Sequence, residues 1–357
     1  MKSSTKRILN FVFIFSIFVV VLYIGFKGND PLQILNELKS VPILWILGFI
    51  SAWLCYMIIE TLSLYVYFRM QGYRVPIFRM FRVVLIGNYY SSITPSATGG
   101  QPMQVYYLKK SGVPIGISSS VLAVRFFIFQ LTLLVLGALF WLSNIDYVYA
   151  QLGGNLWMVY LGFFFNGITV VAVLLLAING RVVKFLVYGI ISLLEKLRLL
   201  RHKEKLIYKT DNALDNFNQS VKMIRRDPSQ LLLQFLITCV QFFSIFGVTV
   251  LIYHSFGLNG TSNVEILTMT SLLFIAASYT PLPGASGAQE GGFVLFFRRI
   301  FPDSTLFSAL LLWRFSTYYT TLILGFLLSL FQFNQIETKI KEAAPFIIEE
   351  DTAEIKE

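Results

Sequence analysis

Arg125 and Arg314 each stand ten residues into an apolar run long enough to cross a bilayer. At 1.5 Å of rise per residue, each guanidinium lies roughly 15 Å deep. That is close to the midplane of a hydrocarbon core ~30 Å thick. A charge at that depth costs at least ~2.5–3.5 kcal/mol on insertion scales. Snorkelling from there is hard, so each arginine must face the protein interior, a carboxylate or an anionic ligand. Guanidinium is a permanent, forked donor well matched to phosphate. Two carboxylates share the membrane depth, Glu60 and Glu290. A pair of structural Arg–Glu bridges is the alternative to an anion site, and a ligand exchanging places with a carboxylate accommodates both.

Two further apolar stretches, Phe81–Leu108 and Val264–Phe301, are broken at their centres. Pro95, Pro102, Pro281 and Pro283 remove backbone donors, and the neighbouring glycines permit open turns. Freed N–H and C=O groups are tolerated at membrane depth only against protein or a water-filled cavity. Such a turn offers N–H groups and a half-helix N-terminus, both suited to anions. The first break supplies Thr94, Gly99, Gly100 and Gln101; the second supplies Thr280, Gly284, Gly287, Gln289 and Glu290. These residues, with Asn88, are the candidates for binding a phosphate or other anion alongside Arg125 and Arg314, and Glu60 is a candidate buried counter-ion. The plainer alternative is a Pro-kinked helix pair without a ligand, each polar side chain capping a backbone group. Gln130, Gln234 and Gln241 read as inter-helix hydrogen bonds.

The elements that must position these residues follow from composition. Of 357 residues, 56% are hydrophobic and 13% charged, and Phe alone occurs 34 times. Such a chain cannot cover a soluble globule with polar groups, so the fold class is an all-α polytopic membrane protein. Full spans are predicted at Ile8–Phe26, Val41–Phe68, Ile115–Leu142, Leu156–Ile178, Leu231–Phe256 and Ser304–Phe331. The first follows Lys2, Lys6 and Arg7, lacks a small-residue exit and reads as an uncleaved anchor. Two histidines, His202 and His254, leave little room for a metal site or a triad; Cys55 and Cys239 read as buried small hydrophobes. No cofactor motif, Walker motif or nucleic-acid module is visible.

Of the 29 Lys and Arg residues, 23 fall on one side of this arrangement. The positive-inside rule makes that side, and both termini, cytoplasmic. Each broken stretch enters and returns on the same side, as a re-entrant hairpin or a pair of short crossings. The basic segment 179–229 has an apolar face and reads either as an interfacial element against anionic lipid or as a solvated charged face. Pro31, Leu32, Leu35 and Leu38 predict a short outer helix. The tail from residue 334 is acidic. Residues 1–333 read as one transmembrane domain, with room for oligomers.

The broken stretches also resemble each other. SSITPSATGGQPMQVYYLKK is answered by AASYTPLPGASGAQEGGFVLFFRR, and each is followed by a span carrying a central Arg-Phe and a later Gly. Pairing Thr94-Pro95 with Thr280-Pro281 gives Pro-to-Arg separations of 30 and 33 residues. Repeat one runs over about 81–142 and repeat two over about 264–331. They enter from opposite faces, as an inverted repeat. Paired, interrupted, inverted segments point to a transporter site at the repeat interface.

NYYSSITPSATGGQPMQVYYLKKSGVP and SYTPLPGASGAQEGG resemble the two signature regions of the lysylphosphatidylglycerol synthase/flippase (MprF-type) transmembrane domain and its stand-alone relatives. The resemblance covers roughly residues 8–332. It implies a flippase that moves lysyl-phosphatidylglycerol or another anionic or aminoacylated phospholipid outward, changing surface charge and giving resistance to cationic antimicrobial peptides. It implies a bacterial plasma-membrane location. Full-length members of the family carry a large soluble domain that transfers lysine from lysyl-tRNA to phosphatidylglycerol. This chain has about 25 residues after its last predicted span, so the expectation is that it does not perform the transfer alone. The alternative reading is the membrane part of a phosphatidylglycerol lysyltransferase working with a separate soluble aminoacyl-lipid synthase. A small-solute or ion transporter is a third.

Overall fold

A computed structural model describes residues 31–178 and 227–329, with a few single positions between them. The predicted anchor at Ile8–Phe26, most of the basic segment 179–229 and the acidic tail lie outside the described residues. Eleven helices cover the described chain. They are α1 (Pro31–Ser40), α2 (Ile43–Met70), α3 (Ile77–Ile93), α4 (Gly100–Lys110), α5 (Ile115–Ser143) and α6 (Ile145–Leu152). There follow α7 (Leu156–Ile178), α8 (Pro228–Ser255), α9 (Asn263–Ala277), α10 (Ala288–Phe297) and α11 (Asp303–Arg314). The helical path of α11 continues through a π turn, Phe315–Tyr319, to Ser329. Five helical stretches are long and apolar enough to cross a membrane, and they coincide with five of the six predicted spans.

The spans are sided as a bilayer requires. On α2, Leu47, Leu54, Ile58 and Leu62 are exposed, whereas Trp53, Met57, Glu60 and Leu64 are buried. Both sets recur at helical spacing, so one stripe is left for lipid and the other packs inward. Cys55 falls on the exposed side and Cys239 is half-buried, so neither is the buried small hydrophobe expected from its run. The predicted outer helix is α1, which packs on α11. Its anchor is Ile34, and Leu32 and Leu35 point outward.

Each broken stretch is a hairpin. Gly100 lies against Ser91, and Gly87 lies against Gln104, so close that an added Cβ would overlap the facing side chain. This order of contacts makes α3 and α4 antiparallel and adjacent. Gly292 lies against Leu273 in the same way, which pairs α9 with α10. Arms that lie side by side bring the chain back to the face it left, as either form of broken stretch requires.

The hairpins also pack across the molecule. A Cβ on Gly137 of α5 would come within 2.2 Å of Ile275 on α9, and one on Gly325 would come within 2.4 Å of Tyr89 on α3. The long span that follows each hairpin therefore seats the other hairpin. Two apolar clusters result. One gathers Phe242, Leu272, Phe293 and Trp313; the other gathers Met57, Leu64, Val84 and Val121. The breaks meet between them.

Candidate functional site

Among the described residues, three that are not glycine have left-handed backbone, and all lie in the breaks: Ser96 (φ 50°), Ala97 (φ 55°) and Ala285 (φ 49°). Gly284 (φ 61°) completes a second consecutive pair. Such residues cost ~1–3 kcal/mol each and collect at functional sites, because only a surrounding structure that needs them will hold them. Pro95–Ala97 and Pro283–Ala285 form matching turns, with Thr98 N–H returning to Pro95 O and Ser286 N–H to Pro283 O.

This geometry corrects the pairing of the breaks. Pro95 corresponds to Pro283, not Pro281, so PSATGGQ aligns with PGASGAQ. The Pro-to-Arg separations become 30 and 31 residues. Gln101 then answers Gln289, and Pro102 answers Glu290. Repeat one thus has no carboxylate at the position where repeat two keeps its own.

Between the breaks is a cavity of about 280 Å³. Ser96 and Ala97 reach it from the first turn, and Thr280, Gly284, Ala285 and Gln289 from the second. Arg314, Thr317, Tyr318 and Thr321 follow along one face of the last span. Most of the remaining lining comes from α2, α3, α5, α8 and α9, and includes Trp53, Asn88, Phe129, Phe242 and Phe274; Ser278 and Leu282 add to it just beyond α9. Thr317 and Tyr318 sit in the π turn, a helix irregularity frequent at functional sites.

Arg314 is only 2% exposed. Its Nε donates to Glu290 Oε1 at 2.7 Å, its Nη1 to Gln289 Oε1 at 2.9 Å, and its Nη2 to the Gly284 carbonyl at 3.3 Å. The Nη2–Glu290 distance is 2.6 Å, and the Tyr318 ring lies 4.6 Å from the guanidinium. Glu290 also accepts the Gly287 N–H at 2.6 Å, closing the first turn of α10. One arginine therefore fastens the second break to the last span.

Arg125 is held differently. Its Nη1 lies 3.6 Å from Glu60, its Nη2 donates to Gln241 Oε1 at 3.1 Å, and its Nε is buried without a partner among the described residues. Glu60 also accepts from Asn88 (3.1 Å) and Gln241 (3.4 Å). Neither Arg125 nor Glu60 lines the cavity. Asn88 does, and it connects the two sites.

The other expected residues separate by role. Thr94 donates to the Tyr90 carbonyl and accepts the Gly99 N–H at 2.8 Å, so it caps the first turn. Gly99 and Gly100 permit close packing on Thr94 and Ser91. Gln101 is exposed, away from the lining. Gln130 bonds Asn166 of α7, and Gln234 bonds Ser63 of α2, as inter-helix links. Gln241 of α8 is an inter-helix link too, to Arg125 of α5 and Glu60 of α2. Trp53, Tyr318 and the serines of α3 were not singled out in the sequence; at helical spacing in an apolar run they look like ordinary core and lipid-facing positions.

Paired helical hairpins closing on a polar cavity within long apolar helices define a multi-pass, all-α membrane protein. The chain belongs to the lysylphosphatidylglycerol synthase TM region family, whose profile matches residues 8–325. That range includes both breaks, both arginines and the cavity. A UPF0104 membrane protein of Archaeoglobus fulgidus is 26% identical over 296 residues, covering 77% of this chain and 81% of the relative. An uncharacterized protein of Mycoplasma pneumoniae is 22% identical over 369 aligned positions, covering 94% and 90%.

Proposed function

We propose that this protein moves a phospholipid between leaflets by admitting its headgroup to the cavity where the two breaks meet. The single observation that carries the reading is that cavity, lined by turn residues of both hairpins and set inside an apolar bundle. Strained, non-glycine turn backbone on both sides supports it, as does a family defined by a lipid-related membrane region. Arg125 stands behind the lining, joined to it through Glu60 and Asn88, so it adds positive charge beside the path rather than a contact inside the cavity. Arg314 reaches an anion only by exchanging Glu290. Lysyl-phosphatidylglycerol or another anionic or aminoacylated lipid is the cargo in this reading. A role in cell-surface charge and in resistance to cationic antimicrobial peptides would follow, with a bacterial plasma-membrane location and both termini cytoplasmic.

The test is reconstitution into liposomes carrying a fluorescent phospholipid, with a membrane-impermeant quencher added outside. The expected result is quenching of both leaflets with the wild type and of the outer leaflet alone in protein-free vesicles. Thr280→Trp, which fills the cavity, should return quenching to the protein-free level, and Arg125→Ala should slow it. Equal quenching with and without protein would remove the transport reading.

The family description favours one second reading, the membrane part of a phosphatidylglycerol lysyltransferase acting with a separate soluble catalytic protein. Lipid extracts separate the two. Deleting the gene should abolish an aminoacylated lipid if the chain serves synthesis, and alter only its sidedness if the chain serves transport.

A further inference from the structure

We propose that the cavity receives the uncharged, polyhydroxylated end of a headgroup, such as a sugar ring or a glycerol, rather than a phosphate or an ammonium group. This rests on the lipid-moving reading and narrows its cargo, keeping a lipid with a free glycerol or sugar end and excluding one that brings a lysyl ammonium into the cavity.

The inference comes from accounting for donors and acceptors. Most lining donors are already committed to protein. Ser92, Ser278 and Thr317 donate to carbonyls of their own helices, at 2.8, 2.8 and 2.7 Å. Tyr318 donates to the Ser92 carbonyl, and Trp53 to Thr321 Oγ1. The Asn88 amide donates to Glu60 and to the Val84 carbonyl. Each of the three Arg314 nitrogens has a protein acceptor. Left over at the lining are oxygen lone pairs of the committed hydroxyls and of the Asn88 carbonyl. The hydroxyls of Ser91, Ser96, Thr280 and Thr321 and the amide nitrogen of Gln289 remain as adaptable groups, and the Tyr56 hydroxyl is bonded to Gln241.

Phosphate only accepts hydrogen bonds, so it uses the adaptable donors but leaves the lone pairs unmet, and the one lining cation among the described residues, Arg314, is already paired with Glu290. Ammonium needs a negative partner when desolvated. Among the described residues, the two carboxylates bonded to the lining are taken, Glu290 by Arg314 and Gly287 N–H and Glu60 by Arg125, Asn88 and Gln241. A hydroxyl donates and accepts at once, carries no charge, and fits a neutral lining rich in acceptors. Trp53, Phe129, Phe242 and Phe274 add aromatic surface for the C–H faces of a polyol. A volume of about 280 Å³ is at the small end for a ligand site and suits one compact group.

The test uses the full chain in phosphatidylcholine nanodiscs, doped in turn with monoglucosyl-diacylglycerol, phosphatidic acid or phosphatidylethanolamine. Methyl glucoside is added to undoped discs as a soluble arm. Thermal unfolding and intrinsic fluorescence are followed, with Trp53→Phe marking the cavity's share of the signal. The glucosyl lipid should give a saturable response, weakened roughly five- to tenfold by Ser91→Ala or Thr280→Val through the loss of one hydrogen bond each. A response to methyl glucoside as well supports the same chemistry from a soluble source. An equal or stronger response to phosphatidic acid or phosphatidylethanolamine overturns the proposal. So does silence toward both glucosides, or a response indifferent to the two variants. Quenching of both leaflets without glucoside binding would leave transport standing and discard this inference alone. Glucoside binding without lipid movement would do the reverse.

Discussion

Gly284 approaches Tyr318 so closely that a Cβ on the glycine would lie 2.1 Å from the ring Cε2. The second break and the π turn of the last span thus interlock, and Tyr318 continues across to the Ser92 carbonyl of the first hairpin at 3.1 Å. Gly284→Ala should therefore destabilise the protein by about 1–3 kcal/mol through overpacking, with a further ~1 kcal/mol from left-handed backbone. Unfolding midpoints in detergent measure it. Adding Tyr318→Ala should relieve the overlap and recover part of the loss. If Gly284→Ala alone unfolds like wild type, the close approach is absent.

The two buried arginines should respond unequally to loss of their acids. Removing one partner of a desolvated pair costs ~3–5 kcal/mol, because the other charge is left uncompensated. Glu290→Gln and Arg314→Met should each approach that range, and the double variant should lose less than the two together. Glu60→Gln should cost less than Glu290→Gln, since the Arg125–Glu60 contact is 3.6 Å against 2.6 Å and Gln241 still supports Arg125. Chemical denaturation of the four variants provides the ranking, and a larger loss at Glu60 would reverse it.

How much of this was legible in the sequence depended on how local the signal was. A single arginine inside an apolar run stands out without any fold, so Arg125 and Arg314 could be placed at depth from counting alone. The broken stretches were visible because Pro and Gly act through their own backbone. The register between them was not. Thr94-Pro95 and Thr280-Pro281 share a dipeptide, yet the matching turns begin at Pro95 and Pro283, and only their φ angles and hydrogen bonds reveal it. Assignment of acids was equally hidden. Glu290 lies within its own hairpin, whereas Arg125 draws Glu60 from α2 and Gln241 from α8, contacts spanning dozens of residues. The polar lining of α3 needed the tertiary fold, since Ser91 and Ser92 resemble any small residues at a helix interface.

Asn166 joins three helices at full burial. Its carbonyl accepts from Gln130 of α5 at 2.9 Å, and its amide donates to the Gly162 carbonyl and to Ser278 just beyond α9. Asn166→Leu should orphan the Gln130 amide inside the bundle, at about 1–3 kcal/mol. Gln130→Leu/Asn166→Leu should recover much of it, since apolar groups replacing both partners leave nothing unsatisfied. A double variant less stable than the single, read from unfolding midpoints, would argue against the pairing.

Asp227 caps α8, where Ser229 and the N–H groups of Ser229 and Gln230 all donate to its Oδ1. The Ser229 hydroxyl, first, and the backbone donors hold its carboxyl below the ordinary range. A folded-state pKa below the unfolded value means that the charged cap stabilises the fold in full above ~3.9, the usual aspartate value. That contribution is lost as the pH falls through the lower folded value. Asp227→Asn keeps an N-cap acceptor but has no proton to bind. The wild type should therefore lose its advantage over Asp227→Asn on acidification below ~4, with the two unfolding midpoints converging. Midpoints that stay equally spaced through the acid range would show that the carboxylate's charge contributes nothing at this end of α8.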